Sequence, residues 1–255
     1  RMNLTHKPDS HSASPPPSLL IRGARQIVTL RGPVRARRGQ EMSALGVLTS
    51  AAMLVENGRI TQLGPASRIE NLSAARKARE IDAAGCIVLP GFVDCHTHLL
   101  FPGPRLTDYV QRIGGASYEE IASSGGGIRS TVRAVRASTV NALQAAAERS
   151  ARLMVRHGTL LAEVKSGYGL DQAAEIRLLR AIGRAAGPVV LVPTCLGANA
   201  LSPEFENNPE GYISDVCRRL LPEVARLRLA EFADVYCDRN AFSVDHSSRY
   251  LEAAA

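Results

Sequence analysis

Apolar and polar positions along this chain change their period near residue 86. Before it, short apolar-rich runs at 19–21, 26–30, 52–56 and 59–63 are separated by turn residues. Short runs bounded in this way predict strands. Asn57-Gly58 joins the last two runs. Both residue types tolerate positive φ, so the pair predicts a tight hairpin. From residue 87 onward the pattern alternates differently. Apolar strands are expected at 87–94, 159–165, 189–194 and 233–237, with helices near 128–136, 140–156, 172–186 and 213–226. A last helix starts near Val244, and Gly158 after His157 reads as a helix stop. Strand–helix alternation of this kind predicts an α/β fold around a parallel sheet. A closed (β/α)8 barrel needs eight strands in roughly 250 residues. Four clear strands therefore predict the first half of one.

The strongest chemical signal lies at the end of the first of these strands. There His96 and His98 follow an apolar run through Pro90 and Gly91. Residues i and i+2 of a strand share a face, so the two imidazoles are expected to point the same way, as a ligand pair does. Catalytic zinc usually takes three protein ligands and a water, so the pair is part of a site rather than all of it. Cys95 between them is expected on the other face, as a packed thiol. Glu163 and Lys165 share the face of a second strand and are expected to form an interior ion pair with a structural role.

The run Pro90-Gly91-Phe92-Val93-Asp94-Cys95-His96-Thr97-His98 resembles the opening barrel strand of the metal-dependent amidohydrolases. Four further segments resemble the imidazolonepropionase family within that superfamily. They are Gly115-Ala116-Ser117-Tyr118-Glu119-Glu120-Ile121, Gly125-Gly126-Gly127-Ile128, Glu163-Val164-Lys165-Ser166-Gly167-Tyr168-Gly169-Leu170 and Pro193-Thr194-Cys195-Leu196-Gly197-Ala198-Asn199-Ala200.

The resemblance implies a TIM-like barrel of the amidohydrolase type, first half only, preceded by a small β-sandwich domain. The expected divisions are a disordered tail at 1–17, a β-domain at 18–85 and the half-barrel at 86–255. It also implies hydrolysis of the ring amide C–N bond of 4-imidazolone-5-propanoate to N-formimidoyl-L-glutamate by metal-activated water. His96 and His98 would be ligands of one divalent or trivalent ion, zinc or iron. A third histidine on the fifth strand, an acidic ligand on the eighth and the general base are expected beyond residue 255. The chain alone is therefore expected to be inactive.

Three residues are expected to contact the substrate. Arg105, in the loop leaving the histidines, offers a planar fork to a carboxylate. Tyr168 stands between Gly167 and Gly169, which let the backbone turn sharply. Asn199 stands where the family pattern has histidine, and an amide cannot carry the charge an imidazolium can. That departure keeps two other readings open: a different ring amidohydrolase or deaminase, and a non-catalytic fragment or interaction module.

Composition narrows the partners. The 255 residues are 45% hydrophobic and 22% charged, an ordinary globular balance. Net charge is +7, but the only lysines are Lys7, Lys77 and Lys165, and no aromatic residues interleave with the arginines. A nucleic-acid partner is therefore not expected. No apolar run is long enough for a membrane helix. The five cysteines (Cys86, Cys95, Cys195, Cys217 and Cys237) show no CxxC spacing and fit a reducing, cytoplasmic setting. Gly125-Gly126-Gly127 lacks the lysine of a phosphate-binding loop and is expected to be a mobile loop near the site. His246 is expected to be exposed. The family likeness implies a small-molecule substrate and a homodimer.

Overall fold

The computed structural model describes residues 18–238 and 241–255; the tail at 1–17 lies outside them. The chain divides into two compact units, one ending at Pro90 and the other running from Gly91 to Ala255.

The first unit contains β1 (Leu19–Arg22), β2 (Gln26–Val28), β3 (Val47–Leu48), β4 (Ala51–Glu56), β5 (Arg59–Pro65), short helices α1 (Ala66–Ile69) and α2 (Ser73–Lys77), β6 (Arg79–Asp82) and β7 (Ile87–Val88). They form one sheet of order β5-β4-β1-β6 and another of order β3-β2-β7. The hairpin between β4 and β5 turns through Asn57 and Gly58, at φ +53° and +74°, as their residue types require. Strand β4 is buried on both faces. Ala52 and Leu54 pack with Leu20, Ile69 and Ala75, while Ala51 and Met53 pack with Ala24, Ile27 and Ala83. Fully burying a side chain such as Leu54 contributes about 1.5–3 kcal/mol.

The second unit runs β8 (Phe92–Thr97), α3 (Leu106–Ile113), α4 (Tyr118–Ser123), α5 (Gly127–Ala137), α6 (Val140–Arg156), β9 (Thr159–Lys165), α7 (Gln172–Arg184), β10 (Val190–Ala198), α8 (Pro209–Asp215), α9 (Leu221–Leu227), β11 (Phe232–Val235) and α10 (Val244–Ala254). Its four strands are all parallel and lie in the order β11-β10-β9-β8. Each new strand is added on the same side of the last. A doubly wound sheet would reverse direction at a switch point, whereas barrel winding does not. Leu143, Ala147 and Ala151 of α6 and Leu178, Leu179 and Ile182 of α7 pack with Ala162, Val164 and Ala198 of the sheet. Local chemistry fixes the helix ends. The Thr139 side chain accepts from the N–H of Ala142 to start α6, and Gly158 at φ +87° follows its end.

Two expected elements are corrected. The strand expected at 87–94 splits into β7 and β8, which belong to different sheets. Pro90 cannot donate to a ladder, and a Cβ at Gly91 would come within 2.4 Å of Leu160. The helix expected at 213–226 begins earlier and is not uniform: a π-helical turn (Val216–Leu220) joins α8 to α9. Pro222 cannot donate within this continuous run, and the widened turn directly before it absorbs the interruption. Among the described residues no helix is long and apolar enough to cross a membrane.

Candidate metal centre and substrate pocket

The sheet carries its polar side chains at the C-terminal ends of the strands. At the end of β8 the rings of His96 and His98 stand 5.8 Å apart between centroids, at 65°. Two imidazoles on one tetrahedral zinc ion, with Zn–N about 2.1 Å, have centroids about 5.2 Å apart. The observed separation is about half an ångström wider, so joint coordination asks for a small adjustment of one ring. His96 is exposed and His98 half-buried. The Nδ1 atom of His98 is buried and has no hydrogen-bond partner among the described residues. Burial lowers the His98 pKa, and the nearby His96 and Lys165 charges lower it further. A neutral imidazole with an unpaired buried nitrogen is what a metal ligand offers. The residues present therefore fit two ligands of a metal site. Among the described residues no group of three His, Cys, Asp or Glu side chains gathers closely enough to hold an ion.

Beneath the histidines lies an ion cluster. The Nζ of Lys165 donates to Glu163 Oε1 at 2.8 Å and to Asp234 Oδ2 at 2.7 Å. Burial opposes the lysine charge, but these two partners outweigh it and raise its pKa. The pair expected from β9 is thus present. Asp234, from β11, is a third member that the sequence did not reveal, because 69 residues separate it from Lys165. Glu163 also receives β8: the Thr97 N–H donates to its carboxylate at 3.2 Å, and the Thr97 hydroxyl to its carbonyl at 2.6 Å.

The loop after β9 brings Tyr168 to within 4.9 Å of the His98 ring, at an interplanar angle of 36°. Burial raises the phenol pKa, against the Arg105 charge, so the hydroxyl stays protonated. Asn199 lies just past β10, at the same end of the sheet. Its Nδ2 donates to the Gly167 carbonyl at 2.8 Å, tying the end of β10 to the Tyr168 loop. The Ser166 hydroxyl accepts from the Leu196 N–H at 3.0 Å and makes a second tie. Arg136 adds a third, donating to the Gly169 carbonyl at 2.7 Å and pairing with Asp171 at 3.0 Å. Inside the loop, the fully buried Glu175 carboxylate of α7 accepts from three backbone N–H groups. Its burial raises its pKa, opposed by hydrogen bonds from Ser166, Gly167, Leu170 and Gly169.

Arg105 immediately precedes α3, with Nε 3.8 Å from Asp108. Its guanidinium lines a cavity of about 380 Å³ with Asp108, Gln111, Ser124, Gly125 and Gly126. The walls of that cavity include neither His96, His98, Tyr168 nor Asn199. The site residues therefore fall into two groups: Tyr168 and Asn199 gather at the histidine end, while Arg105 sits over a neighbouring cavity. The glycine loop borders that cavity, and Asp108 already accepts from the Gly127 N–H at 2.8 Å.

Two expectations about side chains are corrected. Cys95 is exposed rather than packed: among the described residues β8 is an edge strand, and its residues from Phe92 to His96 are all exposed. His246 is partly buried, because at the third position of α10 it closes a capping box with Ser243 and packs edge-on against Phe242.

The resemblance carried by the motifs is borne out by whole-chain comparison. The chain is 43% identical to imidazolonepropionase from Chloroflexus aggregans over 94% of its own length and 58% of that relative's. It is 47% identical to imidazolonepropionase from Rubrobacter xylanophilus over 88% of its length and 53% of the relative's. The chain thus spans little more than half the length of the curated relatives it matches. Among solved structures, molinate hydrolase aligns with a TM-score of 0.49 and 17% identity, covering 93% of this chain and 50% of that one. No protein-family model matches the chain.

Proposed function

We propose that this chain, similar to imidazolonepropionases over nearly all of its sequence, forms the metal-binding and substrate-facing part of a cyclic amidohydrolase acting on 4-imidazolone-5-propanoate. In this reading residues 91–255 correspond to the first half of an amidohydrolase-type barrel, and the steady addition of parallel strands on one side supports it. The observation that carries the reading is the half-buried, neutral His98 with an unpaired Nδ1, beside His96 and against Tyr168.

His96 and His98 would hold the ion, zinc or iron. Bound there, it would supply a Lewis acid that polarises the ring carbonyl and acidifies a water. The chain's own groups do the rest of what is assigned here. Tyr168, kept protonated by burial, donates a hydrogen bond to the polar ring. Asn199 has spent one amide hydrogen on Gly167 and offers the other. Arg105 offers its fork to the propanoate carboxylate from the side of the neighbouring cavity. Hydrolysis adds the water oxygen to the ring carbonyl carbon, breaks the ring C–N bond and leaves the proton on nitrogen.

The test joins this chain to the C-terminal part of a relative, supplies zinc or iron, and follows loss of imidazolone absorbance. Hydrolysis is expected, abolished by His98→Ala and reduced about 100–1000-fold by Tyr168→Phe, the range for loss of one positioned hydrogen-bond donor to the developing charge. A second reading rests on Asn199, whose amide replaces the family's histidine: another ring amidohydrolase or deaminase. A metal-loaded protein inert toward the imidazolone but active on other cyclic amides or amidines would favour it.

A further inference from the structure

A fully buried carboxylate without a cation needs a reason. Glu175 is fully buried in the first turns of α7, and among the described residues no lysine, arginine or histidine pairs with it. Removing a carboxylate from water costs several kcal/mol unless hydrogen bonds replace the solvent. Here they come from a single short loop. The N–H groups of Gly167, Gly169 and Leu170 donate to Glu175 at 2.8, 2.6 and 3.0 Å.

That loop is not one the backbone adopts for free. Gly167 lies at φ +94° and Leu170 at φ +54°, the latter an uncommon angle for a non-glycine residue. A Cβ at Gly169 would come within 2.6 Å of the Glu175 backbone nitrogen, so the loop passes close over the helix start. The three N–H groups point inward at one carboxylate, and the one residue between them that does not donate is Tyr168. Its ring is turned the other way, onto His98 at 4.9 Å.

We propose that Glu175 is a positioning residue: its carboxylate gathers the backbone of residues 167, 169 and 170 and thereby presents the Tyr168 ring to His98. The role in turnover rests on the functional reading above; the positioning does not. A carboxyl group suits this place because both of its oxygens accept, one from Gly167 and the other from Gly169 and Leu170. A glutamine offers one carbonyl oxygen and turns an amide NH2 toward at least one donor.

The experiment uses the 255-residue chain labelled with ¹³C-histidine, with the His98 ring resonance assigned by its loss in His98→Ala. Tyr168→Leu gives the resonance position without the ring contact. Glu175→Ala is expected to move the His98 resonance to that position while circular dichroism stays unchanged. Glu175→Gln is expected to move it part of the way. Glu148→Ala serves as the comparison. Glu148 also accepts a backbone N–H, from Ala186 at 3.1 Å beyond the other end of α7, and its loss should leave the His98 resonance in place.

A folded Glu175→Ala chain with the wild-type resonance would overturn the proposal. If that variant does not fold, Glu175→Gln decides: no displacement overturns the proposal, and partial displacement upholds it. In the joined protein, Glu175→Ala should lower kcat as far as Tyr168→Leu does. If Glu175 governs the ring contact but Tyr168→Leu leaves hydrolysis unchanged, the functional reading fails and the positioning stands.

Discussion

Strand β8 and the loop after β9 reach the same end of one sheet, yet they are secured differently. β8 is an edge strand with a ladder on one side only, and its residues from Phe92 to His96 are all exposed. Beyond that ladder, Thr97 holds it to Glu163. The Tyr168 loop is held to the β10 end by the Leu196 N–H on Ser166 and by Asn199, to α5 by Arg136 and to α7 by Glu175. The proposed ligands thus stand on the less constrained element, and the proposed substrate contact on the more constrained one. The proposed substrate face is organised by hydrogen bonds from three neighbouring elements. The proposed metal face rests on one ladder and Thr97 among the described residues.

Breaking the interior ion cluster should have the largest effect. Lys165→Met leaves Glu163 and Asp234 facing each other without a cation. Losing one partner of a buried ion pair costs about 3–5 kcal/mol, and Asp234's partial exposure argues for the lower end, about 3 kcal/mol by urea denaturation. A smaller cost would mean that the strands do not depend on the cluster.

Thr97→Val sharpens the comparison directly. It removes the hydroxyl donor to Glu163 at little change in shape, for about 1 kcal/mol. Hydrogen exchange should quicken in β8 while the amides of Gly167, Gly169 and Leu170 keep their protection. Equal quickening in both places would contradict the contrast.

The smallest effect is set by pH. Arg136 holds the Glu204 carboxyl down to about 2, from an ordinary value near 4.5. A carboxyl depressed on folding contributes stability above its unfolded value, and loses it as pH falls from about 4.5 through about 2. Glu204→Gln should flatten the stability profile in that window and leave it unchanged near neutrality. Glu204 is largely exposed, so solvent screens the effect.

What the sequence made legible follows from length and separation. The helix α6 and the strand β9 match their expected bounds because each carries a long, consistent period and a clear cap or stop. β3 has two residues, α1 four and α2 five, too short for any period to register. α3 carries Leu106, Tyr109, Val110 and Ile113 at the i, i+3, i+4, i+7 spacing of an amphipathic helix, so its period was present in the sequence although it was not among the expected helices, and the structure turns that apolar face to solvent. The split of the 87–94 run was hidden because its apolar residues serve two sheets in turn. At the site, the His96–His98 spacing was readable because both histidines come at the end of one strand. Asp234 and Glu175 were not. Asp234 meets its partner only across the sheet, and Glu175 is indistinguishable from any helical glutamate until the loop folds over it.

The central claim is that His96 and His98 share one metal ion beside Tyr168. Zinc titration of the 255-residue chain against a chromophoric chelator tests it most directly. The account predicts one zinc per chain, held more weakly than in a complete three-ligand site, with binding lost in both His96→Ala and His98→Ala. Zinc binding of unchanged stoichiometry and strength in either variant would contradict it.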